Sequence, residues 1–247
     1  MTEAKWLACH DPTKLLAFLR RRGTARGRAT RRRLRLVGCA CVRCAGPHLT
    51  TRGWQWVELG ERLADGLLSH DEQNRLMAEQ TIAWDANRPD HWADRAALCT
   101  IGSAIVNSTA SAAVGAAEAI AVAAGFRAVS KVMERAETPE DPSSLGGLFE
   151  WGERAARSDA RRVQAALIRD IFGTPFRGIR YSPVWRTGTM IALAEQMYES
   201  RDFSPMPILA DALQAAGCDN EDILAHCRGD GPHVRGCWVV DLVLGRV

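Results

Sequence analysis

The chain has 247 residues, of which 47% are hydrophobic and 25% charged, with a formal net charge of +3. These values are those of an ordinary soluble globular protein with enough chain for one large core or two small ones, and they argue against a membrane-embedded chain. The charge is unevenly spread: residues 1–57 carry thirteen Lys and Arg against only Glu3 and Asp11, a net of +11, and the remainder carries a net of −8. Such asymmetry points to an anionic partner for the N-terminal part, or to packing of one part on the other.

The eight Cys follow a polar start, Met1-Thr2-Glu3-Ala4, that lacks the apolar core of a secretory signal. This predicts a cytoplasmic protein with reduced thiols. Several of the eight need no explanation beyond burial, since Cys behaves as a small apolar residue.

Apolar residues recur at helical spacing throughout, and no segment reads as a strand. Asp11-Pro12 is an N-cap followed by Pro at the first helical position, with Leu15, Leu16, Phe18 and Leu19 behind it. Gly23 and Gly27 interrupt the chain, and a second helix is predicted over Arg33–Cys44, ended by Gly46-Pro47. A third runs through Trp54, Val57, Leu59 and Leu63 and closes before Gly66. Trp54 and Trp56 cannot both face inward on one helix, which leaves one of them for a partner. Ser69-His70-Asp71-Glu72 is a capping box opening a helix through Leu76, Met77 and Ile82 to Trp84.

An Ala-rich core candidate covers Trp92–Val132. Its charge-free run, Ala96–Ala117, is built from small residues and ends at Glu118, so a buried helix is expected rather than a membrane span. Gly102 and Gly115 inside it point to close helix contacts. Thr138–Ser144 reads as a linker. A long amphipathic helix follows through Phe149, Trp151, Ala155, Val163, Leu167, Ile168 and Ile171, stopped at Gly173-Thr174-Pro175. Ser182-Pro183 starts a helix carrying Met190, Leu193, Met197 and Tyr198. Pro207 starts another, closed by Gly217. Asp219 caps a short helix, and Pro232 begins the last.

Several blocks, taken together, resemble a multi-copy paralogous family of uncharacterised proteins from bacteria with large genomes. They are Met1-Thr2-Glu3-Ala4 with Trp6-Leu7, Cys9 and Asp11-Pro12; Arg33-Leu34-Arg35-Leu36 with Cys39-Ala40-Cys41; Ala64-Asp65-Gly66; Arg169-Asp170-Ile171-Phe172-Gly173 with Pro175-Phe176-Arg177; Pro207–Leu213; His226-Cys227-Arg228; and His233-Val234-Arg235-Gly236-Cys237-Trp238. The similarity covers nearly the whole chain, weakest in the Ala-rich middle. It implies no particular chemistry, and the arginine-rich stretch after Leu19 departs from the family pattern.

Two places carry chemistry-bearing residues. Near the C-terminus, His226, Cys227, His233 and Cys237 sit close in sequence. With a helix from Pro232, His233, Cys237 and Asp241 would share one face at i, i+4 and i+8. Imidazole, thiolate and carboxylate are all zinc ligands, so a zinc site is one reading and thiol chemistry another. The reading favoured by the absence of a C-x-x-C pair is a structural corner. There Trp238 is buried and a buried Asp241 meets Arg228, Arg235 or Arg177. The second place is the basic stretch of Arg20, Arg21, Arg22, Arg26, Arg28, Arg31, Arg32, Arg33 and Arg35, which is suited to nucleic acid or another polyanion and has no interleaved aromatic for base stacking. Cys39, Cys41 and Cys44 share a predicted helix and are expected to be core thiols.

The sequence therefore predicts an all-α protein of about ten helices. It forms one domain over residues 1–247, or two helical halves of about 1–137 and 145–247 joined by Thr138–Ser144. No nucleophile elbow, P-loop, dinucleotide fingerprint or H-E-x-x-H motif is present. The expected function is a non-enzymatic helical interaction or scaffold module with a protein partner. The alternatives are polyanion binding through Arg20–Arg35 and a small metal or thiol site at the C-terminal Cys/His cluster.

Overall fold

A computed structural model describes residues 1–22, 27–78, 85–102, 105–134 and 143–246. Among them are twelve α-helices and no strand, so the protein is all-α. Arg26, Ile82, Trp84 and residues 138–142 of the expected linker lie outside the described residues. The chain divides into two units: a central unit, His10–Ala165, and a terminal unit made of Met1–Cys9 with Ala166–Val247.

The central unit begins with α2 (Pro12–Arg21), which follows α1 (Glu3–Leu7) of the terminal unit. Asp11 caps α2 by accepting from the Thr13 N–H, and Leu15, Leu16 and Leu19 are buried. α3 spans Arg28–Arg43 and starts five residues earlier than its apolar pattern suggests. Arg is a good helix former, so the helix extends past the first buried residue, Leu34. Then come α4 (Thr51–Ala64), α5 (His70–Ala78), α6 (Pro89–Cys99) and α7 (Ile105–Glu134). The capping box opens α5 as expected. Ser69 N–H donates to Glu72 Oε2 at 2.8 Å and Glu72 N–H to Ser69 Oγ at 3.2 Å.

α7 lies against α2, α3 and α6. A methyl group on Gly115 would stand 2.9 Å from Ala96 Cβ, so the absence of a side chain there lets α6 and α7 approach. Gly38 of α3 similarly faces Ala112 of α7. The charge-free run is thus shared between two helices rather than forming one. Residues Ser108–Lys131 are long and apolar enough to cross a membrane, with a mean hydropathy of 1.5, yet 56% of that stretch is buried within the protein. Trp56 is buried, and Trp54 is covered by the Arg43 guanidinium at 5.4 Å from its ring centroid. Arg43 also pairs with the buried Glu61 at 2.7 Å.

α8 (Ser143–Phe172) takes in Ser143 and Ser144 of the expected linker. Its buried positions include Ala160, Ala165, Leu167, Ile168 and Ile171, while Trp151 and Val163 are exposed. The apolar stripe read through those two residues is therefore not the buried one.

The terminal unit joins α1 and the last turns of α8 to α9 (Gly188–Ser200), α10 (Met206–Ala215), α11 (Glu221–Arg228) and α12 (Trp238–Leu244). Its core contains Met190, Met197, Leu209, Leu213, Ile223 and Val239. Arg169 fastens the N-terminal segment by donating to the Cys9 carbonyl at 2.8 Å. Three helix starts differ from expectation. Ser182-Pro183 opens only a single 3-10 turn, Pro183–Trp185, and Thr187 caps α9; Asn220, not Asp219, caps α11. Pro232 opens no helix: Gly231 and Gly236 adopt φ of +82° and +95°, and α12 begins only at Trp238. Positive φ breaks helical hydrogen bonding, so residues 229–237 form a loop.

Candidate metal centre

The loop places two imidazoles, a carboxylate and a thiol together in the terminal unit. Asp170 comes from the last turn of α8, where its helix neighbours Ile168 and Ile171 are buried. His226 comes from the last turn of α11, beside Ile223 and Cys227, which face the core. His233 and Cys237 come from the loop. The ligand atoms of all four lie within 4.8 Å of one another.

The distances run between donor atoms that normally face a cation or a proton. Asp170 Oδ1 is 2.9 Å from His233 Nδ1 and 3.1 Å from His226 Nε2. That same Nε2 is 3.2 Å from Cys237 Sγ. Asp170 Oδ2 accepts from the Val234 N–H at 3.0 Å, and His233 Nε2 is 3.3 Å from the Gly229 carbonyl. The side chains are 3% exposed at Asp170, 8% at His233 and 19% at His226, and Cys237 is fully buried.

Burial acts to raise the Asp170 carboxyl, but hydrogen bonds from both imidazoles hold it below the ordinary carboxylate range. Burial opposes charge on His233, yet its bond to Asp170 raises the imidazolium above its ordinary value. Burial, followed by the Asp170 charge, pushes the Cys237 thiol well up. Without a cation, Cys237 is a protonated thiol and a poor nucleophile.

This arrangement is not a thiol–imidazole–carboxylate relay. In a relay the carboxylate holds one ring nitrogen and the nucleophile faces the other. Here one nitrogen, His226 Nε2, faces both Asp170 and Cys237. A carbonyl only accepts, so His233 donates from Nε2 to Gly229. Its Nδ1 then faces Asp170 either as a second N–H or as a lone pair on a shared cation. A ring N–H bonded to a backbone carbonyl is the usual outer partner of a metal-binding imidazole. Zinc bonds of about 2.0–2.3 Å in a tetrahedron put ligand atoms about 3.3–3.8 Å apart, so the contacts of 2.9, 3.1 and 3.2 Å would open by a few tenths of an ångström while the remaining pairs, all within 4.8 Å, adjust to match.

Of the expected metal residues, His226, His233 and Cys237 converge. Cys227 does not: it is fully buried in the apolar core, and burial raises its thiol to about 12. Asp170 is a member of the cluster that sequence reasoning overlooked. Its signal was a carboxylate among Leu167, Ile168 and Ile171, which required a buried partner. Trp238 is buried as expected, against Gly173 and 5.0 Å from the His226 ring. Asp241 is fully buried, but with His233 and Cys237 in a loop it shares no helical face with them. Arg228 binds Asp211 and Gln214, Arg177 binds Glu3 and Asp222, and Arg235 stacks on Tyr198.

The basic stretch lies in the central unit. Arg20, Arg21 and Arg22 are exposed at the end of α2, and Arg28 and Arg31 are exposed in the first turn of α3. Arg32 pairs with Asp65 at 3.1 Å, Arg33 is half-buried, and Arg35 donates to the Thr100 carbonyl.

No family model, no curated protein and no solved structure matches the chain.

Proposed function

We propose that the terminal unit carries a closed, structural zinc centre. Asp170, His226, His233 and Cys237 are its ligands, and the chain acts as a metal-stapled helical interaction module rather than as an enzyme. The observation that carries this reading is the double approach of His226 Nε2 to Asp170 Oδ1 and to Cys237 Sγ. Four protein donors fill a tetrahedron and leave no position for substrate, as in structural zinc sites. One thiolate with two imidazoles and a carboxylate suits Zn(II) better than the hard, oxygen-seeking Mg(II) or Ca(II). The ion would tie the end of α8 to the end of α11 and to the loop before α12, segments separated by more than fifty residues of chain. The blocks that resemble the bacterial paralogous family at 169–177, 226–228 and 233–238 supply all four ligands.

Metal analysis of untagged protein tests the reading. It expects about one zinc per chain, lost in Asp170→Ala and in His233→Ala. It also expects a thiolate-to-metal charge-transfer band on Co(II) substitution that Cys237→Ser abolishes. Protein that takes up no Zn(II) or Co(II) while folded would overturn it.

A further inference from the structure

The geometry points to a second, separate function: the corner where α2 ends and α3 begins binds the phosphodiester backbone of a nucleic acid, without reading its sequence. Five guanidinium groups, those of Arg20, Arg21, Arg22, Arg28 and Arg31, are exposed there. No Asp or Glu occurs between Asp11 and Glu58, so neither helix supplies a neutralising carboxylate of its own. The two groups of arginines stay near each other because only five residue steps separate Arg22 from Gly27, a reach of at most about 18 Å.

Helix stability does not account for the whole cluster. Cations at a helix C-terminus are favourable, which is a sufficient reason for Arg20 and Arg21 in the last turn of α2. Arg28 and Arg31 stand at the opposite end of α3, in a first turn that contains no acidic residue. A cation there is repelled by the positive pole of its own helix, so the placement is unfavourable for α3 itself, although the Arg28 guanidinium also lies beside Gly66, just past the end of α4.

The deeper arginines hold the corner in place. Arg32, with its side chain 10% exposed, pairs with Asp65 at the end of α4, and Arg35 reaches the carbonyl after α6. These two are withdrawn from any ligand, and they tie the start of α3, where Arg28 and Arg31 stand, to the ends of α4 and α6. The one aromatic beside them, Phe18, lies under the Arg22 guanidinium at 5.6 Å. No exposed ring on α2 or α3 offers a platform for stacking bases, which favours contact with backbone phosphates over a stacked single strand. A membrane surface is the weaker fit, because neither helix sets an exposed large apolar side chain among the arginines.

The test is fluorescence anisotropy of a labelled 20-base-pair duplex with the full chain, titrated with salt. Five phosphate contacts predict that affinity falls about 250–1,000-fold between 50 and 200 mM salt. The variant Arg20→Gln/Arg21→Gln/Arg28→Gln/Arg31→Gln is expected to reduce that dependence to about fourfold and to weaken binding at 50 mM salt at least tenfold. Its thermal midpoint should stay unchanged, which shows that the fold is intact. Arg154→Gln, an exposed cation on α8, should leave binding unaltered. Absence of duplex binding at 50 mM salt, or equal binding by wild type and the fourfold variant, overturns the proposal. So does binding only to phosphatidylserine-containing vesicles.

Discussion

Two groups of cysteines, one in each unit, show how little the residue type says by itself. Cys39, Cys41 and Cys44 lie along α3, where Cys39 and Cys41 are buried and neighbour Leu36, Val37 and Val42. Cys39 faces the Val57 carbonyl and the Thr100 hydroxyl, and Cys44 faces the carbonyl of Ala40 one turn back. These thiols serve as small core side chains, and burial raises all three. Cys237 is equally buried, yet its sulfur meets an imidazole nitrogen within reach of a carboxylate and a second imidazole. The difference is made by the neighbours: a continuous helix spreads its cysteines around an axis, whereas a glycine-bent loop aims His233 and Cys237 at one point.

The strongest way to break this contrast is to remove the centre of the cluster. Asp170→Ala is expected to cost about 3–5 kcal/mol, as removal of one partner from a buried charged pair does, and to abolish zinc uptake. Trp238→Ala is expected to cost a similar 3–5 kcal/mol through lost packing, while zinc still binds at saturating concentration. Denaturant unfolding alongside metal analysis separates the two variants. Equal loss of metal in both would show that the cluster depends on Trp238 for its geometry.

A smaller effect sharpens the comparison between thiols. Cys41→Ser places a hydroxyl in an apolar core and should cost about 1–3 kcal/mol, with zinc content unchanged. Cys237→Ser should make the chain's unfolding midpoint insensitive to a chelator that lowers the wild-type midpoint. A chelator effect surviving in Cys237→Ser would remove the sulfur from the ligand set. The smallest change concerns Asn220, whose Oδ1 accepts from the Ile223 N–H to start the helix that carries His226. Asn220→Ala should cost about 1 kcal/mol, as loss of an N-cap does, and weaken zinc binding without changing its stoichiometry.

The helical class and the starts of α2 and α5 were legible in the chain. Asp11-Pro12 and Ser69 with Glu72 are local signals: their hydrogen bonds join residues two or three apart, so the sequence states them directly. The same locality explains the errors at 182, 219 and 232. Ser182, Asp219 and Pro232 each have the chemistry of a helix start, and Ser182 does open a 3-10 turn, but the α-helical caps are Thr187 and Asn220, which accept from the N–H groups of the first buried residues, Met190 and Ile223, and α12 starts only at Trp238. Of the candidate centre, His226, His233 and Cys237 stood out by their closeness in sequence, although for a geometry that the loop replaces. Cys227 was included because it neighbours His226, yet adjacent residues on a helix point about 100° apart, and its side chain turns into the core.

By itself, then, the amino-acid sequence determined what short-range physics controls: helical periodicity, the caps at Asp11 and Ser69, the core thiols of α3 and the concentration of arginine before residue 36. Tertiary structure alone decided which of these residues meet. Asp170 joins the centre from more than fifty residues away, because its partners His226, His233 and Val234 come from the end of α11 and the loop before α12 and not from its neighbours in the chain. Arg32 and Arg35 are withdrawn from the basic face because Asp65 and the Thr100 carbonyl come from other helices. Contacts of this kind depend on how whole helices dock, and no spacing of residues along one segment encodes them.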